Sequence, residues 1–549
     1  MKVAFVTMEV KGGHCEENFA YIKQQIQRAK QDHADLILFP QNCISGVYGT
    51  DYMSDADYCR YLDSFNERIS AMSDTIAIVW GNIKYRGGRL FNCAYFAYQK
   101  EVYMRVKHKQ NTAFVSEEAY TSSSIHRTIT FHGLSIELNF GNETKDADWN
   151  INLDARPFDI HNPLKLHGNV LYVNAVGMQN EGKKVVIMEG GSAICKDGQC
   201  HWQMPYGEGG YKLVDIEQTT AESWQTHSLL KLMGKAIQDF DRQLLGGKSA
   251  WIVGLSGGLD SCVSAALLAY ALGSERIIGY GMSSAHNSEQ TKQNARSLAA
   301  ALNIEFHDGS ILPLVAASNE VLKQYGYEEA QGLTAENVQA RLRGHLLSTF
   351  AAIHQGVVVN NGNKVENALG YCTLYGDAIG AIGPLGDLTK VQLFDLAKEL
   401  NQHFQKEVIP KNLLPTMTHG AIHFQVPPTA ELRADQIDPM KWFYHDYLVD
   451  HLGRDLTIRQ FLKSYLNGSI WKEEIGSIMR FYKLDDPSAF LADLDWFLRT
   501  AKRNVFKHTQ VPVILTVSQN GYALRNEIQG LCEAEIYQDL LDEIKSMKV

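Results

Sequence analysis

The run Ser256-Gly257-Gly258-Leu259-Asp260-Ser261 constrains this chain more than any other. It follows the apolar stretch Ala250–Leu255, which reads as a buried parallel strand. It precedes Cys262–Leu268, which reads as the opening turns of a helix. A glycine pair at such a junction lets the backbone approach a polyanion closely, and the helix N-terminus directs N–H groups at it. The two serines add hydroxyl donors. Asp260 would repel a phosphate unless a cation stood between them, so the run implies Mg²⁺. It is not a Walker A loop, because no Gly-Lys-Ser/Thr follows. The plainer alternative is a glycine-rich turn with a capping serine, against which six residues in a strand–loop–helix setting weigh heavily.

The chain around that loop divides in two. Its 549 residues suggest two or three domains. Up to about residue 215, short apolar runs such as Val3–Thr7, Asp35–Phe39, Ile76–Trp80, Leu134–Ile136 and Val170–Val173 alternate with polar turns, and a helix is expected over Asn18–Gln31. A closing strand near Tyr211–Ile216 and a polar linker over 217–224 place one domain at 1–220 and a second at 225–549. The second opens with a helix from about His227 to Leu245 and continues with strands at 250–255, Ile277–Met282 and Val357–Asn360, separated by helices at Glu289–Leu302 and Ala335–His354. Strands alternating with helices mean a doubly wound parallel sheet, whose ligands sit at the carboxyl ends of the strands.

Composition removes several classes of function. A formal charge of −10 leaves no nucleic-acid footprint. Nine cysteines, an odd number and scattered without a CxxC pair, suggest neither a zinc site nor a disulfide framework, so free thiols in the cytoplasm are expected. Met1-Lys2-Val3-Ala4-Phe5-Val6 reads as a strand rather than a signal peptide. No apolar run approaches the roughly 20 residues needed to cross a bilayer.

Further polar clusters accompany the loop: Glu336–Arg343, Asn361-Gly362-Asn363-Lys364-Val365-Glu366, Gly370–Asp377, Pro384–Lys390, Pro428-Thr429-Ala430-Glu431-Leu432 and Phe506–Pro512. With the SGGxDS loop they closely resemble the motifs of NAD synthetase, in order, over about residues 225 to 530. The loop alone also fits GMP synthetase, asparagine synthetase and tRNA-thiolating enzymes. Met1-Lys2 excludes the amino-terminal cysteine of the second, no Cys–His–Glu frame marks the first, and a basic or CxxC-bearing chain is missing for the third.

The resemblance implies that deamido-NAD is adenylated by ATP, with pyrophosphate released, and that ammonia then gives NAD and AMP. Asp260 and Lys390 are the implied catalytic residues. Gly254, Ser256, Gly257, Gly258, Asp260, Ser261, Asn361, Lys390 and Thr429 are implied for ATP, Arg341, Arg343, Asp377 and Lys507 for the dinucleotide, and Asp260 with Glu366 for Mg²⁺. Asn361 stands where the family has Thr, Val365 where it has Ser, and Ser283–Ser288 departs from its usual run. A homo-oligomer built on synthetase-domain dimers is also implied. A scaffold without turnover is the non-enzymatic alternative, and the retained Asp260, Glu366 and Lys390 argue against it.

The amino-terminal half resembles nitrilase, an α/β sandwich that in glutamine-dependent NAD synthetases hydrolyses glutamine with a Glu–Lys–Cys triad. Leu38-Phe39-Pro40-Gln41 occupies the frame of the Glu, Lys107 that of the Lys, and Gly133-Leu134-Ser135-Ile136-Glu137 that of the Cys. Asn174–Gly177 and Glu189–Ser192 continue the frame. Gln41 cannot accept a proton and Glu137 is no thiolate, so the triad reads as degenerate and the enzyme as dependent on free ammonia. A buried Glu137–Lys107 pair is expected in its place. A glutamine-dependent enzyme with an unusual or external ammonia source is the alternative, and Cys43 is a structural thiol.

Overall fold

The structure, a computed structural model, describes all residues except 48–49, 109–120, 122–126, 286, 419–420, 427–437, 453, 519–536 and 548–549. Two compact units divide between Asp239 and Phe240, beyond the polar stretch 217–224, and the chain returns to the first at Val517. No described helix is long and apolar enough to cross a membrane.

The first unit contains two six-stranded sheets. One has β1 (Lys2–Thr7), β2 (Leu36–Leu38), β3 (Ala77–Arg86), β4 (Arg89–Tyr98) and β5 (Glu101–Val106). The other has β6 (Ile129–Phe131), β7 (Leu134–Phe140), β8 (Trp149–Asp154) and β9 (Val170–Asn174). Between β9 and the closing strands lies the hairpin of β10 (Val176–Glu181) and β11 (Lys184–Glu189). Then β12 (Ala193–Lys196) and β13 (Gln199–Gln203) complete the second sheet, and β14 (Gly210–Asp215) completes the first. Their orders are β14-β1-β2-β3-β4-β5 and β13-β12-β9-β8-β7-β6.

Period-two alternation explains the layering. Val3, Phe5, Leu36 and Leu38 point into a core shared with Ile136, Leu138 and Ile151 of the second sheet. Their neighbours Ala4, Val6 and Ile37 point the other way, onto Phe19, Ile22 and Ile26 of α1 (Cys15–Gln31) and onto Leu62 and Phe65. After the short α2 (Thr50–Met53), the last two belong to α3 (Ala56–Ser70), which Asp55 caps by accepting the N–H groups of Asp57 and Tyr58. The central parallel strand β8 is buried at all six residues, as two-sided burial requires.

The helix α4 (Leu229–Leu244) leads to the second unit. There β15 (Trp251–Gly254), α5 (Leu259–Leu272), β16 (Ile277–Ser283), α6 (Glu289–Leu302) and β17 (Glu305–Ser310) alternate, followed by α7 (Leu312–Gln324), α8 (Gly332–Ile353) and β18 (Val357–Val358). The sheet is parallel, in the order β17-β16-β15-β18. The chain moves outward from β15 in both directions, so the loop after β15 lies at the topological switch point. Helix α5 is buried almost all round, in keeping with its apolar sequence beyond Ser264.

Candidate functional site

The loop after β15 is shaped by two glycines with different tasks. Gly257 has φ +81°, and a Cβ there would meet the Thr291 carbonyl at 1.8 Å. Gly258, in extended conformation, is the residue before the first turn of α5. The Gly258 N–H donates to Ser256 Oγ at 3.2 Å, Ser261 Oγ donates to the Gly258 carbonyl at 3.1 Å, and the two serine hydroxyls lie 3.1 Å apart. The helix end and both hydroxyls thus converge.

They open into a cavity of about 390 Å³ within the second unit. Gly254, Ser256, Gly258, Asp260, Ser261, Asn361, Glu366, Lys390, Arg343 and Asp377 all line it. Gly257 packs behind the loop, where its carbonyl accepts from Asn294 at 3.4 Å. Arg341 is exposed beside it, its Nε donating to the Leu374 carbonyl at 3.2 Å. Lys507 donates to the carbonyls of Gly370 and Cys372 at 2.9 and 2.7 Å. Arg343, two residues from Arg341 and therefore on another face of α8, turns inward and donates to the Met282 carbonyl at 3.1 Å. Thr429 and the segment 428–432 lie outside the described residues.

The charged centre is formed by Lys390, Asp260 and Glu366. Lys390 opens α10 (Lys390–His403), which Thr389 caps in a capping box with Gln392. The second contributor, α9 (Lys364–Leu369), begins with a capping box between Asn363 and Glu366. Lys390 Nζ lies 2.5 Å from Asp260 Oδ2 and 3.9 Å from Glu366 Oε1. Asn363 Nδ2 donates to the same Asp260 oxygen at 3.4 Å. Burial alone would depress Lys390, but the two carboxylates outweigh it and its pKa is raised. Burial, with Asp260 nearby, raises Glu366 to about 8. Asp438 also lines the cavity and belongs to the same charge cluster, with its pKa raised by burial. The motif reading missed Asp438 and Trp442. Their only signal was their place a few residues beyond Pro428–Leu432.

Asp260 Oδ1 and Asn361 Oδ1 are buried and accept no hydrogen bond among the described residues. An acidic oxygen left bare beside a helix N-terminus fits Mg²⁺. No group of three or more ligating side chains is present among the described residues.

In the first unit, Gln41 and Lys107 meet. Lys107 Nζ donates to Gln41 Oε1 at 3.3 Å, and the Gln41 N–H donates to the Asp154 carbonyl at the end of β8. Glu137 stands elsewhere along its strand. The parallel register sets it opposite Asn150, four residues short of Asp154, an offset of roughly 13 Å. Thr128 Oγ1 donates to Glu137 Oε1 at 2.5 Å, and Arg105 Nη1 is 4.0 Å from Oε2. The β7 side chain over which Lys107 sits is Phe140, its ring centroid 5.8 Å from Nζ. The expected Glu137–Lys107 pairing is therefore corrected to Glu137–Arg105. A single stretch of strand signal carries no register, so the sequence could not say where along β7 a side chain meets Lys107. Cys43 is fully buried, its thiol donates to the Gly81 carbonyl, and burial pushes it up to about 12.

A ligase domain built on a pyrophosphate loop, behind a nitrilase-like α/β sandwich, is the class that fold and site define. The family model for NAD synthase matches residues 236–456. Over 476 residues the chain is 28% identical to a glutamine-dependent NAD(+) synthetase of Acinetobacter baylyi, covering 80% of this chain and 84% of the relative. It is 24% identical over 532 residues to the enzyme of that name from Xanthomonas campestris pv. campestris, covering 88% and 92%. In fold it is similar to a glutamine-dependent NAD(+) synthetase from Cytophaga hutchinsonii, with a TM-score of 0.74, 14% identity and 99% of both chains covered. The second unit carries an NAD synthase domain, and over most of its length the chain is similar to two-domain glutamine-dependent NAD(+) synthetases.

Proposed function

We propose that this synthetase amidates deamido-NAD with free ammonia. The observation that carries the ligase chemistry is the convergence of Ser256, Ser261, Asp260, Glu366 and Lys390 on one cavity. A nicotinate carboxylate oxygen attacks the α-phosphorus of ATP, and the bond to the β-phosphate oxygen breaks. Ser256, Ser261 and the N–H groups opening α5 hold the departing pyrophosphate, while Lys390 offsets charge developing on the phosphates. Asp260 and Glu366 would hold Mg²⁺, which supplies Lewis-acid stabilisation of the phosphates when bound. Ammonia then attacks the acyl carbon, AMP leaves, and the nitrogen gives up a proton. Gly254, Asn361 and Thr429 are assigned to the ATP side, and Arg341, Arg343, Asp377 and Lys507 to the dinucleotide side.

The nitrogen source is read from the first unit. Gln41, which meets Lys107, is a neutral amide that cannot accept a proton, where glutamine hydrolysis asks for a base and a thiolate. Cys43 is too deeply buried and too weakly acidic to replace that thiolate. The relatives' names favour the second reading, a glutamine-dependent enzyme fed from an unusual or external site. NAD formation by the purified chain from deamido-NAD and ATP, with ammonium or glutamine as donor, separates the two. Turnover with ammonium alone supports the first, and turnover with glutamine overturns it.

A homo-oligomer and a cytoplasmic location belong to the same reading. Helix α7 buries none of its residues, and Leu312, Val321, Leu333 and Ile353 are exposed apolar side chains on α7 and α8, area available to a second copy. The eight described cysteines are free thiols.

A further inference from the structure

We infer that Trp442 is a positioning residue for Lys390 in this ligase, an assignment that rests on the proposed function. Lys390 carries its charge on a flexible four-carbon stem between two carboxylates, so something must fix where Nζ stands. The Trp442 ring supplies a third wall, its centroid 5.0 Å from Nζ, within the range of a cation–π contact. Trp442 is itself fixed. Its Nε1–H donates to Asp438 Oδ2 at 3.3 Å, and its carbonyl accepts from Tyr482 Oη at 3.2 Å. It is 9% exposed and lines the cavity alongside Lys390, Asp260 and Asp438.

The backbone repeats the arrangement. The Lys390 N–H donates to Asp446 Oδ1 at 2.6 Å, and Asp446 Oδ2 accepts the Phe443 N–H at 2.6 Å. Phe443 has φ +70°, a conformation that bulky side chains avoid. That strained residue directly follows Trp442 and packs on Phe394 of α10 at 5.6 Å between centroids. The segment from Asp438 to Asp446 therefore grips both ends of Lys390, its ammonium through Trp442 and its N–H through Asp446. With Nζ held on Asp260 Oδ2, Oδ1 of the same carboxylate stays bare.

A merely structural tryptophan would matter through its contacts with Phe394 and Phe424 and its hydrogen bonds with Asp438 and Tyr482. The test compares W442L, W442F and the control F424L in the full chain. It measures NAD formation from deamido-NAD, ATP and ammonium together with pyrophosphate–ATP exchange. W442L should lower kcat by roughly 30-fold, the upper end for a cation–π contact, with KM for ATP changed less than about 3-fold. W442F, which keeps a ring face, should recover most of that loss. F424L should keep kcat while lowering the melting temperature as W442L does. Wild-type kcat in W442L, or equal kcat losses in W442L and F424L, would overturn the inference and leave the ligase reading standing. A wild-type chain without turnover would overturn both. If W442L does not fold, fluorinated tryptophan at position 442, nearly constant in size, carries the test. Stepwise loss of kcat with added fluorine supports the inference, and unchanged kcat overturns it.

Discussion

Lys390 Nζ meets Asp260 Oδ2 at 2.5 Å across 130 residues of sequence. The contact joins the first turn of α10 to the first turn of α5, so two helix N-termini and one ion pair share the mouth of a single cavity. The remaining Asp260 oxygen is left bare.

Asp260→Asn should abolish pyrophosphate–ATP exchange, because it removes the bare carboxylate oxygen and the partner of Lys390 together. Glu366→Gln should lower exchange by at least about 100-fold if it shares the metal. Near-normal exchange in either variant, measured with deamido-NAD at saturating Mg²⁺, would refute the assigned metal site.

The two loop glycines should respond differently to alanine. At Gly257 the added Cβ would strike the Thr291 carbonyl, and φ is +81°. G257A should therefore lose activity and about 1–3 kcal/mol or more of stability. At Gly258 the nearest atom is Ser256 Oγ at 3.4 Å, an ordinary contact, so G258A should melt close to the wild type. Thermal melts of the pair would show whether the order holds.

Glu366 makes the nucleotide-free protein sensitive to pH. Its folded value of about 8 lies above its ordinary 4.5. Between those values the folded state holds a proton that the unfolded state has released. The group's contribution is thus complete below about pH 4.5 and is lost as pH rises toward 8. Glu366→Gln should flatten this part of the stability curve and raise the melting temperature at pH 8. Parallel curves for variant and wild type from pH 5 to 8 would contradict the assignment.

Arg105 should matter more to the first unit than Glu137. It is buried and donates to the Leu138 carbonyl, to Asn139 and to Glu143, with Glu137 at 4.0 Å. Arg105→Ala leaves those acceptors and a buried carboxylate without their cation, at a cost of about 3–5 kcal/mol. Glu137→Ala should cost less, since Arg105 keeps its other partners. Denaturant midpoints of the two variants, read at constant m-value, give the comparison.

A thiol placed at Phe140, rather than at Glu137, should come to stand beside Lys107. The wild-type amino-terminal unit should not be labelled by diazo-oxonorleucine. The double variant Gln41→Glu with Phe140→Cys should label, and Gln41→Glu with Glu137→Cys should not. Mass spectrometry of the intact chain distinguishes the outcomes, and labelling of the second variant alone would restore the original frame.

Local features were legible in the sequence wherever a short run of residues had only one physical use. The loop 256–261 announced its strand, its turn and its helix, because two glycines, two serines and an aspartate in that setting serve a polyanion. Helix α6 spans Glu289–Leu302, as the sequence reading expects, and the alternating runs of the first half are strands. The strand Glu305–Ser310 was passed over because, as a largely exposed edge, it carries almost no apolar signal. Tertiary structure decided what lay between such runs. It set Glu137 opposite Asn150, brought Trp442 and Asp438 to Lys390, and turned Arg343 inward while Arg341 stayed out. Residue type names the chemistry a position can perform. Strand register and helix packing, which arise only when distant segments meet, decide which positions perform it together.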